Sequence, residues 1–176
     1  MGIRFFVGHG ASGSAASMAR HVEGLVARGI DAVAIDLPLK KAEAAVPVLQ
    51  GIVRDGIQGG QRPVVGGQSY GGRVASLAAA EAGADYAALV LYSYPLHLPG
   101  RRAMADERTA HWPRIACPVL LLSGEADPMA DVELLRARVA LLPNAELVTY
   151  PRLGHTLKPV LDDALERTAA FLRRLG

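Results

Sequence analysis

The segment Pro63-Val64-Val65-Gly66-Gly67-Gln68-Ser69-Tyr70-Gly71-Gly72-Arg73-Val74-Ala75-Ser76-Leu77-Ala78 changes its periodicity half-way along. Pro63 to Gly67 is a short apolar run containing β-branched residues, the pattern of a strand buried on both faces. Val74, Leu77 and Ala78 then recur at the spacing of one helix face, and the helix is expected to stop near Gly83. Between the two patterns lies Gly67-Gln68-Ser69-Tyr70-Gly71, a G-x-S-x-G sequence at a strand-to-helix junction. Glycines on either side let the chain turn sharply without Cβ clashes, which lifts the serine hydroxyl over the edge of a sheet. The helix N-terminus behind it favours negative charge on a reacting oxygen. A plain glycine turn would make no use of that hydroxyl. In this setting Ser69 reads as a nucleophile.

Outward from this junction, apolar runs alternate with helical patterns along the whole chain. Strands are expected at Ile3 to Gly8, Ala32 to Asp36, Pro63 to Gly67, Ala88 to Tyr92, Pro118 to Ser123 and Glu146 to Tyr150. Most are continuously apolar, so the predicted architecture is α/β, a doubly wound, mostly parallel six-stranded sheet. The intervening helices show the 3.6-residue stripe. Met18, Val22, Leu25 and Val26 share one face, ended by Gly29. Leu49, Ile52 and Val53 share another, with Pro47 expected in the first turn. Val132, Leu135, Val139 and Leu142 precede Pro143, and Leu161, Leu165, Ala169 and Leu172 form the last stripe. Only Pro95 to Pro113 lacks a helical period.

In open α/β sheets, ligands bind beyond the carboxyl ends of the strands. Two further strand ends carry suitable groups. The fifth strand runs into Glu125-Ala126-Asp127-Pro128, and the sixth into Leu153-Gly154-His155. Taken singly, an Asp before Pro caps a helix and a loop His is surface. Taken together, they follow the serine in the order Ser…Asp…His, with whole strand–helix units in each interval. His155 is then placed to accept the Ser69 proton, and Asp127 to hold the imidazole. Asp131 would replace Asp127 if the fifth strand ended later. The oxyanion needs backbone donors. Tyr70, after the nucleophile, supplies one, and Ala11 in Gly8-His9-Gly10-Ala11-Ser12-Gly13 a second. Gly10 would allow the substrate close approach, and His9 reads as a loop-shaping residue.

Composition narrows the classes. At 176 residues the chain suits one domain spanning residues 1–176. A formal charge of +2 and 5% aromatic residues argue against a nucleic-acid partner. The single cysteine, Cys117, excludes an intrachain disulfide or a cysteine metal cluster and reads as a buried thiol. No targeting segment or membrane-length apolar run is seen, so a cytoplasmic location without membrane attachment is expected.

The histidine–glycine loop, Gly67 to Arg73, Tyr94-Pro95-Leu96-His97, Gly124 to Pro128 and Gly154-His155 together resemble the small, dienelactone-hydrolase-like α/β-hydrolases. The resemblance spans nearly the whole chain. It implies a minimal α/β-hydrolase fold that lacks the family's first two strands, with strand order 2-1-3-4-5-6. Dienelactone hydrolases proper use a cysteine nucleophile, where this chain has Ser69. Many relatives insert a lid between the strands counted here as four and five; this chain has only Pro95 to Pro113 there. An open site is therefore expected, with Tyr70, Leu96, His97 and Trp112 as substrate-contacting walls. The expected activity is hydrolysis of a small carboxylic ester or thioester by a Ser–His–Asp triad, with no metal or organic cofactor. Two other readings stand beside it. Gly8 to Gly13 also matches G-x-G-x-x-G, with Asp36 placed as a ribose-binding acid of a dinucleotide site. The fold could also serve a non-catalytic interaction protein, although such a protein has no need of all three groups.

Overall fold

The computed structural model describes residues 2–175. Six strands, β1 (Ile3–Gly8), β2 (Ala32–Ile35), β3 (Arg62–Gln68), β4 (Ala88–Tyr92), β5 (Val119–Gly124) and β6 (Ala145–Tyr150), form one sheet. Its order is β2-β1-β3-β4-β5-β6, the order expected, and every neighbouring pair is parallel. The helices are α1 (Ala19–Val26), α2 (Ala42–Gly56), α3 (Tyr70–Ala79), α4 (Met104–Thr109), α5 (Val132–Val139) and α6 (Leu161–Arg173).

Alternation along each strand divides the apolar side chains between two cores. Phe5, Val7, Val64, Val90, Tyr92, Leu120 and Leu122 point to one face, covered by Met18, Leu25 and the α6 stripe Leu161, Leu165, Ala169 and Leu172. Phe6, Val65, Leu89, Leu91, Val119 and Leu121 point to the other, covered by Leu49, Val53, Val74, Ala78 and Leu135. Burial on both sides is why these strands read as unbroken apolar runs.

Three helix details depart from expectation. Val26 is 54% exposed, because the buried face of α1 is carried by His21 and Leu25, with Met18 in the turn before it, and Val26 falls outside that face. Pro47 lies inside α2 rather than in its first turn, since the helix already begins at Ala42. The Pro95–Pro113 segment contains the six-residue α4 and leads into a 3-10 turn at Trp112–Arg114. Helix α4 buries only Ala105 and Thr109, too short and too small a stripe to show a period. No separate lid stands over the sheet edge among the described residues. No helix among them is long and apolar enough to cross a membrane.

Candidate active site

At the end of β3 the chain makes a turn that only small residues permit. A Cβ on Gly67, whose φ is +149°, would overlap the carbonyl of Gly8. One on Gly71 would overlap the same Gly8 backbone. The last residue of β1 and the first turn of α3 therefore pass with main chain against main chain. The Gly71 N–H donates to His9 O at 2.9 Å across this contact. Ser69 sits in the turn at φ 50°, ψ −109°, a conformation that costs a non-glycine residue about 1–3 kcal/mol. Its own N–H is held by Tyr92 O at 2.8 Å, so the strain is fixed by the sheet.

The β5 and β6 ends meet in a similar way. A Cβ on Gly124 would overlap the carbonyls of Leu153 and Gly154. Ala126 N–H donates to Leu153 O at 2.9 Å and Glu125 N–H to Tyr150 O at 2.9 Å. This close pass sets Asp127 beside His155. Asp127 Oδ2 lies 2.7 Å from His155 Nδ1, and Oδ1 accepts the Met129 N–H at 2.8 Å. His155 Nε2 lies 3.0 Å from Ser69 Oγ. The Asp127 side chain is wholly buried while that of His155 is 27% exposed. A carboxylate can only accept at Nδ1, so that nitrogen carries the proton and Nε2 is left to accept from the serine hydroxyl.

The loop after β1 passes beside the first turn of α3, where the Gly71 N–H meets His9 O. Among the described residues, neither the Ala11 nor the Tyr70 N–H has an acceptor within the chain. Gly10 has open space around it: a Cβ there would meet nothing within 4 Å. His9 is buried. Its Nε2 accepts the Leu37 N–H at 3.0 Å and its Nδ1 donates to Gly10 O at 2.8 Å, so both nitrogens shape the loop.

A family model described as an alpha/beta hydrolase domain matches residues 3–173. The chain belongs to that α/β-hydrolase family. No curated protein matches the sequence. Among solved structures this hydrolase-family chain is similar to a monoacylglycerol lipase from Paleococcus ferrophilus, at 15% identity and a TM-score of 0.85, covering 100% of this chain and 97% of that one. It is also similar to a dienelactone hydrolase from Anabaena variabilis, at 21% identity and a TM-score of 0.81, covering 99% and 86%. Est1E from Butyrivibrio proteoclasticus matches at 18% identity and a TM-score of 0.81, covering 99% and 88%. At these identities the likeness concerns the fold.

Several expected site residues lie elsewhere in this hydrolase fold. Leu96 and Trp112 are both 0% exposed and cannot wall an open site. Trp112 meets the Tyr94 ring edge-on, with centroids 5.1 Å apart, and anchors the β4–β5 segment to the α2–α3 side of the core. His97 is buried as well, and its contacts are with backbone. Its N–H donates to Met129 O at 2.9 Å, its Nδ1 to Leu98 O at 2.9 Å, and its Nε2 accepts the Asp131 N–H at 3.1 Å. It thus ties the β4 end to the loop that carries Asp127. Asp131 caps α5 by accepting the Leu134 N–H at 3.0 Å and pairs with Arg102, so it is not the partner of His155. Asp36 accepts the Ala15 N–H at 2.7 Å through Oδ1.

Three groups near the site gave no signal in the sequence. Gly124 reads as an ordinary turn glycine until the two loops are seen to cross. Ser93, just past β4, is fully buried at φ 50°, and its Oγ has no hydrogen-bond partner. His21, on α1, is buried with Nδ1 unpartnered.

Proposed function

We propose that this chain is a serine hydrolase that cleaves small carboxylic esters or thioesters through a covalent acyl-enzyme. The observation that carries the reading is the unbroken relay Ser69 Oγ–His155–Asp127, with contacts of 3.0 and 2.7 Å. Acyl transfer needs a base within reach of the nucleophile and a third group that orients the base.

In the first half-reaction His155 Nε2 takes the Ser69 proton as Oγ bonds to the carbonyl carbon. The carbonyl electron pair moves onto oxygen, where the Ala11 and Tyr70 N–H groups hold it. Losing one such donor costs roughly 2.7–4 kcal/mol of transition-state stabilisation. Collapse of the tetrahedral species breaks the bond to the alcohol or thiol, which leaves with the proton from His155. Water then gives a proton to His155 and attacks the acyl carbon. Release of the acid returns the proton to Ser69. Asp127 orients the ring throughout and stabilises the imidazolium. The chain's own groups supply nucleophile, base and donors, so the mechanism calls on no metal or organic cofactor.

No separate lid covers the sheet edge among the described residues, which suits small substrates. The lipase, dienelactone hydrolase and esterase among the similar structures support the same reaction class. A fluorophosphonate probe is expected to label Ser69, as mapped by peptide mass spectrometry, and a p-nitrophenyl ester panel of graded acyl length is expected to show turnover of the short members. Folded protein that takes up no probe at Ser69 would refute the reading.

A further inference from the structure

Asp127 must meet His155 at one distance and angle, yet the turn that carries it, Asp127 to Asp131, holds itself together only in part. Asp127 Oδ1 accepts the Met129 N–H at 2.8 Å, and Asp127 O accepts the Ala130 N–H at 3.2 Å. Both bonds stay inside the turn. Two more of its backbone groups are bonded to a single residue of another segment. His97 donates its own N–H to Met129 O at 2.9 Å and accepts the Asp131 N–H on Nε2 at 3.1 Å. Met129 thus gives its N–H to the Asp127 carboxylate and its carbonyl to His97.

A residue can fix a turn only if it is fixed itself. His97 is 3% exposed and ends a segment anchored as it leaves β4. The Ser93 N–H donates to Leu122 O of β5 at 2.8 Å, Tyr94 and Leu96 are buried, and Arg108 donates to Pro95 O at 2.7 Å. The ring is oriented as well. Its Nδ1 donates to Leu98 O at 2.9 Å, so Nε2 is left as the acceptor that the Asp131 N–H requires.

We infer that His97 is a positioning residue of the relay. It grips the turn through Met129 O and the Asp131 N–H, and so keeps the Asp127 carboxylate where His155 needs it. The inference rests on the serine-hydrolase reading. His97 moves no proton and acts through Asp127. Loss of the Nε2 acceptor strips the Asp131 N–H of its partner, and the turn must shift to find another.

The two ring nitrogens can be tested apart. Glutamine carries its side-chain oxygen as many bonds from Cα as Nε2, so His97→Gln keeps an acceptor for Asp131. Asparagine is one bond shorter, so His97→Asn keeps the donor to Leu98 O and loses Asp131. His97→Leu loses both.

With p-nitrophenyl acetate, His97→Asn and His97→Leu are expected to lower kcat on the order of 10²-fold while KM hardly moves, the effect of a misplacement near 1 Å. His97→Gln retains most of kcat. Asp127→Asn already removes the group through which His97 acts, so adding His97→Asn to it lowers kcat little further, whereas independent losses multiply. Near-UV circular dichroism and a urea midpoint for each variant ensure that folded proteins are compared, and His97→Leu carries the test if His97→Asn fails to fold. Wild-type kcat in a folded variant without the acceptor, His97→Gln no better than His97→Asn, or fully multiplied losses in the double variant overturns the positioning role while the hydrolase reading survives. Wild-type protein that takes up no fluorophosphonate at Ser69 overturns both.

Discussion

The catalytic relay and the Ser93–His21 pair beside it treat their polar groups in opposite ways. In the relay, both Asp127 oxygens and both His155 nitrogens have partners. Beyond β4, the Ser93 hydroxyl and the nearby His21 Nδ1 have none. A satisfied buried network holds its members in one arrangement, as a base and its orienting group require. Unsatisfied groups are strained in solvation terms until something else binds them. The contrast separates the groups proposed to carry out the reaction from buried polar groups that take no part in it.

The comparison can be broken most severely at the serine. Ser69→Ala is expected to lower ester turnover by about 10⁶-fold, measured under single-turnover conditions, because residues acting as a unit fail together. Asp127→Asn keeps the shape but favours the wrong imidazole tautomer, and a loss of kcat of about 10⁴-fold is expected. Asp131→Asn, at the α5 cap, should leave turnover nearly unchanged. A steep loss at Asp131 with little at Asp127 would reverse the assignment of the acid.

Gly124→Ala probes the relay without touching a reacting group. The added methyl must push the Leu153 and Gly154 carbonyls away, and His155 with them. A displacement of about 1 Å at the reacting groups costs on the order of 10²-fold in rate. The expected signature is a fall in kcat with labelling at Ser69 slowed in proportion; an unchanged kcat would show that the loop crossing does not position the base.

Stability against acid sharpens the contrast at the other end. Burial pushes His21 and His111 down to about 4 from an ordinary 6.5, with Arg20 adding to the effect at His21 and Arg73 and Arg114 at His111. The unfolded chain therefore binds protons that the folded chain refuses between these values. Stability from these rings is complete above 6.5, declines as pH falls and levels off near 4. Each ring contributes up to roughly 3 kcal/mol of that loss. Urea midpoints across the range should show it, and His21→Phe should shrink the decline. A midpoint independent of pH would mean that neither ring is buried uncharged.

Much of this arrangement was legible in the sequence because it depends on alternation and order. Strand limits followed from apolar runs closed by glycine or proline, and the fold class from their regular alternation with helical stripes. Burial direction was harder to read. Trp112 and Leu96 look the same in sequence whether they line a cleft or fill a core, and only their burial in the fold decides. His97 stands next to a proposed site in the chain, yet its ring is spent on backbone groups of another loop. Helix α4 hides because a two-residue buried stripe of Ala105 and Thr109 has no period to detect. Ser93 and His21 were silent because an unpartnered atom is a property of surroundings, not of residue type.

The bare crossing of Gly8 and Gly71 has one more consequence. With no side chain between them, the gap separating Ser69 from the Ala11 loop is gauged by peptide units, whose dimensions do not vary with the neighbouring residues. Mutation can rework the surrounding surface freely while that gauge stays constant.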